Sequence, residues 1–168
     1  MILRRWRLWA VTAVVVIALG LGTWLLWPSP PPPRARPYLD WTACLLTDGQ
    51  GIGGPQGSVV WAGMQDASLA THARVQYVPV AGGTSTGDAL PYLASLLQRQ
   101  CAVVVAVGEA QVTAVATDAA RYPAVRFVVV GGSATAGNVT VLDGLSGPQL
   151  RDRIRVLVVD AVHAATPR

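Results

Sequence analysis

The chain has no lysine, and only two histidines and two cysteines among its 168 residues. The use of arginine in place of lysine is a bias typical of GC-rich bacterial genomes. His72 and His163 lie far apart on predicted helix faces, away from the loops and without a paired-ligand motif, so no metal site is expected. There is no G-x-S-x-G elbow and no G-x-x-x-x-G-K-[ST] loop, which removes the common nucleophile and phosphate-cradle chemistries. The expectation is a protein that is not an enzyme and carries no cofactor. Basic side chains outnumber acidic ones 13 to 9, but the excess is local. Arg4, Arg5, Arg7, Arg34 and Arg36 precede Pro37, and beyond it eight arginines face nine acids. No basic stripe interleaved with aromatics remains, so nucleic acid is not an expected partner.

What the N-terminal part does have is a long apolar run. Leu8 to Trp27 is twenty positions without a charge, and about 20 apolar residues at a 1.5 Å rise span the roughly 30 Å core of a bilayer. Arginines on the N-terminal side hold that end in the cytoplasm and place everything after Pro28 outside. Trp6, Trp9, Trp24 and Trp27 sit where interfacial aromatic belts form. The alternative, a cleaved signal peptide, has an apolar region of about 7–15 residues and a small-residue cleavage site. Here the run ends in Trp-Leu-Leu-Trp-Pro, and the first cysteine, Cys44, is too distant to carry a lipid. The expectation is a single-pass signal anchor over 1–28. A proline-rich linker over 29–40 follows, with six prolines between Pro28 and Pro37. As a polyproline helix that stretch would stand the remaining domain, 41–168, about 30 Å off the membrane.

Within that domain short β-rich runs alternate with helical stretches. Ala43–Asp48, Arg74–Val80, Cys101–Val107, Val125–Val130 and Val139–Leu142 are expected as strands. Ser58–Thr71, Thr86–Gln100, Glu109–Arg121 and Leu150–Ala165 are expected as helices, the second with Leu90, Leu93, Leu96 and Leu97 on one stripe. The run from Cys101 to Val107 is apolar almost throughout, as a strand covered on both faces must be. Strands separated by helices pair in parallel through right-handed crossovers. The expected fold is therefore an α/β, three-layer, flavodoxin-like parallel sheet of order 2-1-3-4-5, with ligands at the carboxyl ends of strands 1 and 3.

The loops at that edge supply the candidate ligand-binding residues Asp48, Gly49, Gln50, Gly108 and Glu109. Gly49, Gly51 and Gly54 match G-x-G-x-x-G between a strand and a helix, where a dinucleotide's pyrophosphate would rest. The second strand ends in Val80-Ala-Gly-Gly83, however, without the acid that binds ribose hydroxyls, so a tight glycine turn is preferred over a nucleotide site. Asp48 can accept hydrogen bonds from a ligand or order its own loop. Glu109 at a helix start is favoured by the helix dipole alone. Gly82, Gly83, Gly131 and Gly132 leave the ends of strands 2 and 4 short of side chains for chemistry.

Cys44 and Cys101 lie in a compartment that permits a disulfide. With both in straight neighbouring strands whose carboxyl ends align, they are offset by three residues, about 10 Å along the strands. A disulfide requires Cα atoms within about 7 Å. Two unpaired, buried cysteines are favoured, although a shift of the strand ends would join them.

The chain resembles the N-terminal part of the basic membrane protein family, the substrate-binding lipoproteins of ABC importers that include purine nucleoside receptors. The residues carrying the resemblance are Leu45-Leu-Thr-Asp-Gly49, Gly51-Ile52, Trp61-Ala-Gly63, Cys101–Gly108, Ala119-Ala-Arg-Tyr-Pro123, Val125–Val130 and Asn138-Val139. The resemblance implies one lobe of a type 1 periplasmic-binding-protein fold. It also implies recognition of a small solute such as a nucleoside, with an ABC transporter permease or a sensing system as partner. Asp48 and Gly49 match the family's ligand-facing set, whereas Gly53-Gly-Pro-Gln-Gly-Ser58, Glu109-Ala110 and Gly131-Gly132 replace its acidic, aromatic and amide positions. The alternative expectation is a non-catalytic protein-interaction domain at the cell surface that has lost ligand binding and pairs with itself as a homodimer or with a transporter component.

Overall fold

Residues 38–166 are described by a computed structural model. The expected membrane anchor (1–28) and the linker up to residue 37 lie outside the described residues. Among the described residues no helix is long and apolar enough to cross a membrane. The alternation read from the sequence resolves into β1 (Thr42–Thr47), α1 (Pro55–Thr71), β2 (Arg74–Pro79), α2 (Thr86–Gln98), β3 (Val103–Val107), α3 (Glu109–Asp118), β4 (Arg126–Val130), β5 (Val139–Leu142) and α4 (Gly147–Ala165). Short 3-10 turns at Gly51–Gly53 and Ala119–Arg121 join them. All neighbouring strands are parallel, in the order β2-β1-β3-β4-β5, as the connectivity implied. Their C-termini therefore share one carboxyl edge.

Two apolar layers enclose the sheet. Ala43, Leu45, Val103, Val105 and Val128 pack with Val60 and Met64 of α1 and with Ile154 and Val158 of α4. Cys44, Leu46, Val104, Phe127 and Val129 pack with Leu93 and Leu96 of α2 and with Ala114 and Val115 of α3. This alternation is the period of two of a pleated strand, with both faces apolar because both are covered.

Several boundaries move for identifiable reasons. α1 begins at Pro55 rather than Ser58, since proline lacks only a donor that a first helical turn cannot use; Pro148 does the same for α4. In β2 the amides of Arg74 and Val80 donate inward to Trp41 and Thr47, so the alternating Pro79 turns its missing donor to the open side of an edge strand. β4 and β5 are joined by residues 131–138 without a helix, a shorter link than parallel strands usually allow. Asn138 secures that link: its Nδ2 donates to the carbonyls of Ala119 (3.0 Å), Tyr122 (2.9 Å) and Val125 (3.0 Å).

The cysteine expectation is corrected. Cys44 and Cys101 form a disulfide, with Cα atoms 5.9 Å apart. β3 starts at Val103, so Cys101 is not in the strand. α2 ends at Gln98, and Gln100 takes a left-handed conformation (φ 59°) that turns the chain. Cys101 is thereby brought into the α2–α3 layer, which is also the side that Cys44 faces. The 10 Å offset held only for a straight strand.

One ion pair joins α1 to α4. Arg151 donates from Nε and Nη2 to the two oxygens of Asp66 at 2.6 and 2.8 Å, and these bonds hold the Asp66 carboxyl below its ordinary value. Because the folded pKa is depressed, the stabilisation is present above the unfolded value near 4 and is lost as pH falls through the folded one. Both side chains are partly exposed, so water screens the pair and Arg151→Ala should destabilise only slightly at neutral pH. The difference from wild type should shrink as pH falls through the depressed pKa of Asp66, as measured by urea unfolding across pH.

Candidate functional site

The carboxyl edge is organised around the junction of β1 and β3, where neighbouring strands feed helices on opposite faces of the sheet. After Thr47 the chain turns sharply: the Asp48 carbonyl accepts from Gly51 N at 3.0 Å, and Asp48 Oδ1 accepts from Gln50 N at 3.0 Å. One carboxylate oxygen thus orders the loop. Gly49 and Gln50 are exposed on its crest.

The same turn settles where the glycine motif leads. The Gly51 carbonyl accepts from Gly54 N at 3.4 Å and lies 2.2 Å from where a Cβ on Gly57 would stand. A backbone oxygen therefore occupies the space over the first turn of α1, where a pyrophosphate would need amide donors, and Pro55 supplies none. The geometry is that of a tight turn.

Gly108 ends β3 with φ 107° and caps α3. The position favours glycine. That backbone angle is strained for any L side chain, and a Cβ there would stand 2.4 Å from Gln111 Oε1. It would also lie 3.7 Å from Asp48 Cβ, so the structure brings Asp48 and Gly108 together across the junction. Glu109 is exposed in the first turn of α3.

Two further polar residues lie at this junction. Among the described residues the buried polar side chains are Thr47, 1% exposed, and Gln111, 2% exposed. Thr47 closes β1, and Gln111 lies on the first turn of α3 against Gly108. Thr47 Oγ1 has no hydrogen-bond partner among the described residues, an arrangement that costs about 1–3 kcal/mol unless a ligand or water supplies one. The sequence singles out neither residue. The available signal was a hydroxyl and an amide inside otherwise apolar runs.

Beside the junction lies a cleft of about 510 Å³. Its walls are Gly108, Glu109, Val112 and Thr113 of the β3–α3 turn, and Val130, Gly131, Gly132 and Ser133 after β4, with Gln56 of α1 contributing. Of the five expected residues, Gly108 and Glu109 line this cleft. Asp48, Gly49 and Gln50 lie on the β1 side and do not; Gln56, Thr113 and Ser133 are polar walls that the sequence did not indicate. The loops and first helical turns of this edge carry Asp48, Asp88, Glu109 and Asp143 and no arginine. The two histidines stand at the opposite edge, His72 just after α1 and His163 in the last turn of α4.

No family model matches the chain, and no curated protein matches it. Among solved structures it is similar to a fragment from Peptoclostridium difficile 630 described as a lipoprotein, with TM-score 0.57 and 12% identity, over 75% of this chain and 99% of that one. It is also similar to a transcriptional activator of the comK gene from Bacillus halodurans, with TM-score 0.50 and 19% identity, over 60% of this chain. There it spans a third of the other chain's length. At these identities the likeness is one of fold: a parallel five-stranded α/β domain flanked by helices.

Proposed function

We propose that this chain is a non-catalytic recognition module, tethered by its apolar N-terminal segment and facing outward, that binds a small polar solute beside the β1–β3 junction. The observation that carries this reading is the open cleft on the carboxyl edge, whose walls hold the polar side chains of Gln56, Glu109, Thr113 and Ser133. The acids and the lack of arginine along the edge disfavour phosphorylated solutes and favour neutral or cationic ones. A nucleoside fits that class, and supply to an ABC transporter or a sensing system is the role the basic membrane protein resemblance implies. That finer assignment rests on the sequence resemblance alone. The fold neighbour described as a lipoprotein supports a place at the membrane.

Calorimetric titration of the detergent-solubilised chain with nucleosides, cationic amines and nucleotides tests the proposal. The expected result is a dissociation constant near micromolar, roughly −8 kcal/mol, for an uncharged or cationic solute. Nucleotides should bind more weakly, and Asp48→Ala should abolish binding by releasing the loop. Silence across the panel would remove solute recognition.

A second reading, protein contact, is favoured by the opposite flank. Tyr77 on edge strand β2 is 41% exposed and packs edge-on against Trp61 of α1, with ring centroids 5.3 Å apart. An aromatic pair beside an unpaired strand edge suits a protein partner or a second copy. Concentration-dependent sedimentation abolished by Tyr77→Asp would establish it, and a monomer at all concentrations would dismiss self-association.

A further inference from the structure

The edge opposite the candidate site has a cleft of its own, about 530 Å³, under the amino ends of β1 and β2. Its charged walls are Arg74, which opens β2, and Arg99, which follows α2. Thr42, Gln76 and Tyr38 add a hydroxyl, an amide and a phenol. The two arginines are 25 residues apart in sequence and come from different layers of the domain. Neither is well neutralised. Arg74 lies 3.4 Å from Asp40, whose side chain is 98% exposed, and water screens such a pair almost completely. Among the described residues no carboxylate lies within 4.0 Å of Arg99.

The disulfide builds this cleft. Cys101 is two residues beyond Arg99, and its bond to Cys44 ties the α2–β3 turn to β1. Gln76 Nε2 points at the bridge, 3.1 Å from Cys44 Sγ and 3.5 Å from Cys101 Sγ. The turn carrying Arg99 is thereby fixed beside the strand that carries Arg74. Two guanidinium groups held on one polar cleft, with hydroxyl groups on its walls, suit a tetrahedral oxyanion that accepts paired hydrogen bonds. We infer that this cleft binds a phosphate group, so that the two edges of the sheet prefer ligands of opposite charge. The group can arrive as free phosphate or as a phospholipid headgroup.

Both sources are tested with the full chain, first in neutral detergent with inorganic phosphate and then in nanodiscs of phosphatidylcholine with or without phosphatidylglycerol. The readouts are calorimetry and hydrogen exchange at Arg74–Gln76 and Arg99–Cys101. Saturable binding of phosphate in detergent, weakened about tenfold or more by Arg74→Gln or Arg99→Gln and unchanged by Arg153→Gln on α4, supports a free phosphate ligand. Protection that appears only with phosphatidylglycerol and is lost in the same two variants supports a headgroup. Both variants replace exposed side chains, so circular dichroism should show them folded. No binding and no protection in either medium, or equal binding by all three variants, would overturn the inference.

Discussion

Replacing Cys44 and Cys101 together by alanine is expected to lower the unfolding free energy by about 4 kcal/mol. The bridge spans 57 residues of sequence, and a cross-link over a loop of that length removes chain entropy from the unfolded state worth roughly that amount at 25 °C. Both sulfurs are buried, at 0% and 1% exposure, among Leu46, Leu96 and Val104. Their loss also leaves contacts unmade, and Gln76 loses the groups its amide faces. A domain of this size has roughly 5–15 kcal/mol in total, so the double variant should be folded at 25 °C but marginal. Guanidinium unfolding of the oxidised protein, the reduced protein and the variant provides the measurement. Reduced wild type should behave like the variant. A loss below about 1 kcal/mol would mean that the bridge constrains nothing the fold does not already hold.

Gly63→Ala is expected to destabilise by about 2–3 kcal/mol, against the usual direction for glycine in a helix. In an unencumbered helix interior alanine is favoured over glycine by about 1 kcal/mol. At Gly63, in the middle of α1, a Cβ would stand 2.4 Å from the carbonyl oxygen of Arg151 and 3.1 Å from Ile154 Cβ. The first is backbone of α4 and cannot rotate aside, so the two helices must separate. That disturbs the layer in which Met64, Ile154 and Val158 cover β1 and β3. Gly87, in the first turn of α2, is the internal control, since its Cβ would meet only Ser85 Oγ at 3.7 Å. Gly87→Ala should be neutral or stabilising by a few tenths of a kcal/mol. Thermal unfolding of the two variants side by side reads the difference in sign. Equal behaviour would show that α1 and α4 are not in backbone contact.

Much of the sheet was legible because it is written locally. Val103–Val107 and Phe127–Val130 are short apolar runs bounded by glycine, and a helical period separates the runs, which suffices for parallel order. What was illegible depends on where separate segments meet. The turn at Gln100 moved Cys101 out of β3 and beside Cys44, and no periodicity announces a single left-handed residue. Thr47 reads as an ordinary last residue of a strand; its hydroxyl becomes conspicuous only when its surroundings are known to lack an acceptor or donor for it. Gly108 and Glu109, which line the cleft, were candidates because a strand end is a place to look. Gln56 and Ser133 were missed because the cleft they share with Gly108 is assembled across three loops. The carboxyl edge was foreseeable from topology, and its contents were not.

Nuclear magnetic resonance of the full chain in nanodiscs tests the central claim most directly, by following the Thr113 methyl and the Gln56 side-chain amide, which line the cleft, during titration with an uncharged nucleoside. The proposed binding predicts saturable shifts at both groups, larger than any at Arg74 or Arg99 on the opposite edge. Resonances of Thr113 and Gln56 that stay fixed to millimolar ligand, or shifts confined to Trp61 and Tyr77, would contradict it.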